Sequence, residues 1–352
     1  MLPVMAELVS RGHQVRALVG GGFEGAVRAV GAEVVGLSAV ADVYVPDRLT
    51  APAVRRFVVG RLNRVSIHRR AAQTLAVELA RCRPEVVVLD PMIGWAHRAA
   101  SRAAGRPVMF STTFASTSAA SEVLVRRYGP WWAAGVQRFR PFVRRHRRPL
   151  LAHALPELQP AAHLLDRRTH LLGPLVRPAI EVSRGTGPPR LLVSFGTVFA
   201  RGRAVFRDVV EAVGGSAWEV LLATGQTDPD ALGPLPSNVT ARRWVDQQAA
   251  LANSDVFLTH AGMNSAMEAL VAGVPMLFLP RSREQRFIAD RLSVLGVGRP
   301  LDRGRIFETV TAVARDRRVL AAVEAWRLRL VASPGARWAA DVLEAEAAQG
   351  AG

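Results

Sequence analysis

The chain alternates short, almost uninterrupted apolar runs with stretches of helical periodicity, and this pattern constrains its fold more than any other feature. In the first half the runs are QVRALV (14–19), EVVGL (33–37), EVVVLD (85–90) and PVMFST (107–112). In the second half they are RLLVSFGT (190–197), EVLLATG (219–225), NVTARRW (238–244), DVFLTHA (255–261) and MLFLP (276–280). Apolar strands separated by helices mark parallel sheets that are covered by helices on both faces. The expected class is α/β, with doubly wound parallel sheets. Between the halves, GPLVRPAIEVSRGTGPP (173–189) has the Pro, Gly and charge content of a linker. Domains are therefore expected at 1–175 and 189–335, joined by a linker at 176–188 and followed by a C-terminal helix at 336–352.

A length of 352 residues fits two domains. Cys82 is the single cysteine, so no intramolecular disulfide and no Cys-based metal site is expected, which fits a reducing cytoplasm. No apolar run has membrane-span length, and the first residues lack the pattern of a signal peptide. The net charge is +17, carried entirely by Arg because the chain has no Lys. The excess is uneven, +14 over residues 1–175 and +3 over 176–352. Such a balance favours an anionic partner: nucleic acid, a membrane surface or a phosphorylated ligand. With only two Tyr and no basic–aromatic reader motif, no nucleic-acid partner is expected.

Two motifs are decoys. GGGFEG (20–25) matches the dinucleotide pattern G-x-G-x-x-G, with Asp42 as the ribose acid. Three consecutive glycines make that match easy to reach, and the favoured reading is a flexible turn. A nicotinamide-dependent oxidoreductase rests on this match alone. DPD (228–230) matches a D-x-D metal site, but it lies in the turn-rich TGQTDPDALGPLPSN.

The informative stretch is WVDQQAALANSDVFLTHAGMNSAMEALVAGVPMLFLPRSREQ (244–285). It reads as a strand ending at His260, a tight turn in which Gly262 lets backbone approach a ligand, and a helix capped by Asn264 or Ser265 that stops at Gly273. A helix N-terminus after a glycine turn is an anion site. His260 adds a donor for a phosphate oxygen. Glu268, one turn beyond Asn264, can accept both hydroxyls of a ribose. Trp244 offers a flat face to a base. Together these residues describe a nucleotide diphosphate site at the C-terminal ends of strands.

These residues resemble the signature of the family 1 glycosyltransferases, the UDP-glucosyl/glucuronosyltransferase-like enzymes, and look closest to the bacterial macrolide-type branch. The family pattern W-x-P-Q, T-H-x-G-x-N-S-x-x-E, G-V-P and D/E-Q reads here as Trp244–Gln247 with Asp246 in place of Pro, Thr259–Glu268, Gly273–Pro275 and Glu284–Gln285. The resemblance implies the GT-B fold: two Rossmann-like domains facing a cleft, with a nucleotide sugar as donor. It implies that Trp244 stacks on the base and Gln247 lies near the nucleoside. His260, Asn264 and Ser265 hold the diphosphate, Glu268 binds the ribose, and Glu284 and Gln285 contact the sugar. Gly196 and Thr197 approach the phosphates. No metal and no cofactor is implied, because helix dipole and His bear the leaving-group charge. Ile288 departs from a frequent Asn and is expected to loosen the sugar end of the pocket.

In such enzymes the N-terminal domain binds the acceptor, and a His in a G-H-x-x-P loop after the first strand is the general base, oriented by an acid after a later strand. Asp90 stands where that carboxylate is expected, with a helix cap or a loop acid as the alternative. Met1 aligns just beyond the catalytic His, so the first strand and the general base are expected to be missing from the chain as given, the true start lying upstream. His13 falls in a structural turn, and His97 is a remote substitute. The acceptor is expected to be a hydroxylated, hydrophobic small molecule such as a polyketide. The basic and aromatic segment RRYGPWWAAGVQRFRPFVRRHRR (126–148) reads either as a weak membrane-surface contact or as a helix that packs Trp131 and Trp132 into the acceptor cleft. A nucleotide-sugar-binding protein that lacks efficient catalysis is the alternative function.

Overall fold

The computed structural model describes residues 1–20, 22–37, 51–91, 93–101, 105–115, 117–128, 148–176, 187–196 and 203–349, with side chains of the long helix from residue 66 onward. Gly21, Asp42, Trp131, Trp132, Thr197 and nearly all of the linker lie outside these residues.

The first half runs α1 (Leu2–Ser10), β1 (Arg16–Val19), α2 (Glu24–Ala29), β2 (Glu33–Gly36), α3 (Ala51–Cys82), β3 (Val86–Leu89), α4 (Gly94–Ala100), β4 (Arg106–Ser111), α5 (Ser118–Tyr128), β5 (Leu150–Ala152) and β6 (Thr169–Leu171). Among the described residues these strands form two parallel sheets, β1-β2 and β3-β4-β5-β6. The period of two in each strand sorts its side chains by face. Val108, Phe110 and Leu151 pack under Val4 of α1, whereas Val87, Leu89, Met109 and Leu150 pack under Leu75 and Leu79 of α3.

The second half runs β7 (Arg190–Ser194), α6 (Arg203–Val213), β8 (Glu219–Ala223), β9 (Val239–Arg242), α7 (Gln247–Ala252), β10 (Val256–Thr259), α8 (Met263–Ala272), β11 (Met276–Phe278), α9 (Arg283–Val294), β12 (Gly298–Pro300), α10 (Ile306–Arg315), α11 (Arg317–Val331) and α12 (Gly335–Ala348). Its six parallel strands lie in the order β12-β11-β10-β7-β8-β9. The chain leaves β7, fills one side, then crosses to fill the other, so the order reverses between β7 and β10. In doubly wound sheets a crevice opens at that point, where ligands bind. All four residues of β10 are buried, which explains why the strand reads as a continuous apolar run.

The last helix does not stay with the second sheet. Ala339 and Leu343 of α12 bury against Val4, Phe110 and Leu151 of the first half. Arg11 holds α12 from the polar side, with ion pairs to Asp341 at 2.7 Å and Glu344 at 2.8 Å. His13 also pairs with Glu344, at 2.8 Å. The halves meet again at a seam, where Phe114 and Phe287 pack edge to face with centroids 5.9 Å apart. Arg291 Nε donates to the Glu157 carbonyl at 2.8 Å. Leu124, Leu155 and Leu158 join the core of the second sheet.

The strands β5, β6 and β12 have three residues each, too few to show a period, and the sequence pattern did not reveal them. DPD behaves as a turn: Asp228 precedes a 3₁₀ turn at Pro229–Leu232 and pairs with Arg243 at 3.0 Å. Among the described residues, no group of His, Cys, Asp and Glu is placed to hold a metal, and no helix is long and apolar enough to cross a membrane.

Phe114 is 2% exposed and lies in the seam. Phe114→Ala is expected to cost about 3–5 kcal/mol of stability, read from the midpoint of urea unfolding.

Candidate functional site

The site forms where β7 and β10 leave the second sheet. Their register pairs Ser194 with Thr259, so the loops that follow emerge side by side. Phe195 and Gly196 continue one strand; His260, Ala261 and Gly262 continue the other. Ala261 takes a left-handed φ of 61°, which turns the chain sharply into α8. Gly262 occupies the N-cap of α8, and among the described residues no side-chain hydrogen bond caps this helix. This differs from the expectation that Asn264 or Ser265 caps it; both lie within the first turn. The consequence favours a ligand, because first-turn N–H groups without a side-chain cap are oriented to receive an anion.

His260 stands between the two loops. A Cβ at Gly196 would lie 3.0 Å from its Cε1, and a Cβ at Gly262 would lie 2.5 Å from its Nε2. Only glycine lets both backbones approach the ring this closely, and Gly196 also holds a φ of 74°. His260 is 9% exposed. Burial pushes its imidazole down to about 4, against the backbone of Ser194, which favours the charged form; the nearby Arg281 lowers it further. The ring is therefore neutral at pH 7 and carries a single N–H.

Glu268 projects from the next turn of α8 and accepts from three amides. Gln247 Nε2 donates to Oε2; Gln248 and Asn264 each donate to Oε1, at 3.2 Å. Gln247 also donates to Ser265 Oγ at 3.1 Å. Asn264 thus spends its amide on Glu268, one turn along the helix, rather than facing the turn at His260. Gln248 is a residue that the sequence reading missed. Asp246, where the family pattern has Pro, caps α7 by accepting from the Ala249 N–H at 3.2 Å, which fixes the start of the helix that presents Gln247 and Gln248. Trp244 is 59% exposed just beyond β9, with its ring available for stacking.

Glu284 and Gln285 open α9 and behave differently from one another. Gln285 is buried and completes a capping box: its Oε1 accepts from the Ser282 N–H at 3.2 Å and the Arg281 N–H at 2.8 Å, while Ser282 Oγ accepts from its own N–H at 3.2 Å. Glu284 faces Thr113 of the first half. Burial pushes its carboxyl up, and the Thr113 hydroxyl opposes that shift. Ile288 is wholly buried, in the same core as Phe287 and Leu292. Asp90 follows β3 at the edge of the first half. It is not a helix cap, since Ile93 takes that position on α4. The Asp90 carbonyl accepts from the Ile93 N–H at 3.1 Å. His97 is buried, which pushes its imidazole down, and it faces the backbone of Pro91 and Asp90.

Between pH 6.5 and about 4 the unfolded chain protonates His260 while the folded chain does not. Stability therefore falls as pH drops through this window, by about 3 kcal/mol from this residue. NMR of the His260 ring protons is expected to show no titration above pH 5.5 and a midpoint near 4.

Comparison with known proteins agrees with this geometry. Residues 185–312 match the family model described as UDP-glucoronosyl and UDP-glucosyl transferase. An NDP-glycosyltransferase, YjiC, of Bacillus subtilis (strain 168) is 36% identical over 163 residues, which cover 45% of this chain and 42% of that protein. The oleandomycin glycosyltransferase of Streptomyces antibioticus is 36% identical over 163 residues, covering 44% of this chain and 38% of the relative. The matched stretch thus spans less than half the length of these relatives. In three dimensions the likeness is wider: the crystal structure of CalG4, the calicheamicin glycosyltransferase, superposes with a TM-score of 0.75 at 27% identity, over 98% of this chain and 94% of that one. The segment 185–312, which holds the junction of β7 and β10, thus resembles the UDP-glucoronosyl and UDP-glucosyl transferase family, and the chain as a whole has the GT-B fold.

Proposed function

We propose that this protein transfers a sugar from a nucleoside-diphosphate sugar to a hydroxyl of a hydrophobic small molecule, a natural product such as a polyketide, with inversion at the anomeric carbon and without a metal or cofactor. The observation that carries this reading is the neutral imidazole of His260 held between Gly196 and Gly262 beside the N-terminus of α8. A diphosphate leaving group gains negative charge as the glycosidic bond breaks. Helix N–H groups and an imidazole N–H aimed at that charge stabilise it without a metal.

The other residues take roles around this anchor. Glu268, oriented by Gln247, Gln248 and Asn264, offers its carboxylate to the ribose hydroxyls. Trp244 supplies the stacking surface for the base. Ser265 and the first-turn backbone of α8 hold the phosphates with His260. Glu284 lies at the seam, where it reaches both the donor sugar and the first-half loop that carries Thr113. Gln285 acts on the sugar mainly through Glu284, since its carbonyl shapes the start of α9. Thr197, next to Gly196, approaches the phosphates in this reading. The acceptor lies against the first half, with Asp90 as the carboxylate that orients a general base. The names of the relatives support an acceptor from secondary metabolism, since oleandomycin and calicheamicin are named in them. The excess of Arg in the first half is compatible with a weak contact to an anionic membrane surface, and a cytoplasmic location fits the donor.

A second reading is nucleotide-sugar binding without efficient transfer. It needs only the donor residues around α8, with His260 held between two glycines and Glu268 oriented by three amides, and no base on the first half. Incubation with UDP- and dTDP-sugars and a panel of hydroxylated polyketides, followed by mass spectrometry, separates the two. A product one sugar heavier supports transfer; donor binding by calorimetry with no product supports the second reading.

Three outcomes follow for an active protein. Glu268→Ala is expected to raise the donor KM about 10- to 100-fold while changing kcat less, measured by steady-state product chromatography. Gly262→Ala, whose Cβ would sit 2.5 Å from His260 Nε2, is expected to lower kcat/KM by roughly 100-fold or more with an unchanged circular dichroism spectrum. Activity is expected to persist undiminished after dialysis against EDTA.

A further inference from the structure

One charged side chain at the site has no part in the roles above. Arg281 lies between β11 and α9, and its guanidinium carbon sits 4.9 Å from the centre of the Phe195 ring. Its Nε and Nη2 are sealed from solvent. Its backbone N–H donates to Gln285 Oε1 at 2.8 Å, which ties this part of the chain to the capping box of α9. Phe195 is itself buried, 2% exposed, and immediately precedes Gly196, the residue that meets the His260 ring. The stack therefore holds a planar cation beside the loop that closes over the imidazole.

We propose that Arg281 binds the diphosphate of the nucleotide-sugar donor, as a second phosphate-binding side chain beside His260. This rests on the donor-site reading above. The argument is one of charge and shape. A neutral imidazole offers a single N–H and no net charge, whereas the departing nucleoside diphosphate carries several negative charges. A guanidinium keeps a full charge in a buried setting, and stacking on the Phe195 ring fixes its plane beside Gly196. The effect of Arg281 on His260 points the same way: the cation acts close enough to disfavour the imidazolium, so the two side chains divide the work, one supplying charge and the other a neutral donor.

The test compares Arg281→Met and Arg281→Lys with the wild-type chain by isothermal calorimetry, using UDP and dTDP as diphosphate probes and uridine and thymidine as probes without phosphate. Thermal unfolding controls for folding. For Arg281→Met the diphosphates are expected to bind about 10- to 100-fold more weakly while the nucleosides bind as before. Arg281→Lys is expected to recover part of the diphosphate affinity. Equal loss of diphosphate and nucleoside binding would mean that Arg281 only shapes the loop around Phe195, and unchanged diphosphate binding would mean that it does not touch the phosphates; either result overturns the assignment and leaves the donor site standing. A wild-type chain that binds neither UDP nor dTDP overturns the donor site itself, and this assignment with it.

Discussion

The site depends on the close passage of two backbone loops around one imidazole. His260 can occupy its position only because Gly196 and Gly262 present no Cβ, which would stand 3.0 and 2.5 Å from the ring. That passage in turn depends on the pairing of β7 with β10, whose register places Ser194 opposite Thr259 and brings both loops out at the same height. The crossover of a doubly wound sheet opens a crevice at this junction. The ring, the uncapped start of α8 and the carboxylate of Glu268 then follow one another along a single strand–turn–helix unit.

Burial sets the electrostatics of this crevice. Removing a charged group from water disfavours its charged form, so His260 is held neutral and the Glu284 carboxyl is pushed up. A guanidinium keeps its charge under the same conditions, which leaves Arg281 as a cation beside a neutral donor. Glu268 is treated differently. Three amide donors surround it, so its carboxylate is oriented before any ligand arrives and little side-chain freedom remains to be lost on binding.

The seam between the halves brings the first sheet into the same chemistry. Phe114 packs edge to face against Phe287, three residues beyond Glu284, and Thr113 faces Glu284 itself. The loop after β4 thus runs beside the first turns of α9. The crossing of α12 back onto the first sheet, through Ala339 and Leu343, closes the molecule at the other end. The two sheets meet where these contacts hold the halves together.

The sequence by itself determined the parts that are local. The longer strands are continuous apolar runs because both faces of their sheets are covered. The strand–glycine turn–helix unit from 256 to 272 was legible because its residues are neighbours in the chain, and so were the candidate roles of His260, Gly262 and Glu268. Tertiary structure decided what depends on contacts between distant segments. Three-residue strands such as β5 and β12 carry no period and exist only through pairing with their neighbours. The phase of α9 turns Ile288 into the core and Gln285 into a capping box, although a motif lists Gln285 only as a sugar contact. Asn264 reaches Glu268 because the helix starts at Met263, earlier than its polar residues indicated. The nearness of Gly196, Thr113 and Arg281 to the ring or the carboxylate comes from strand register and from the seam, which join residues far apart in the chain. Side-chain direction is set by the surface that an element packs against, and that surface is not written in the element's own residues.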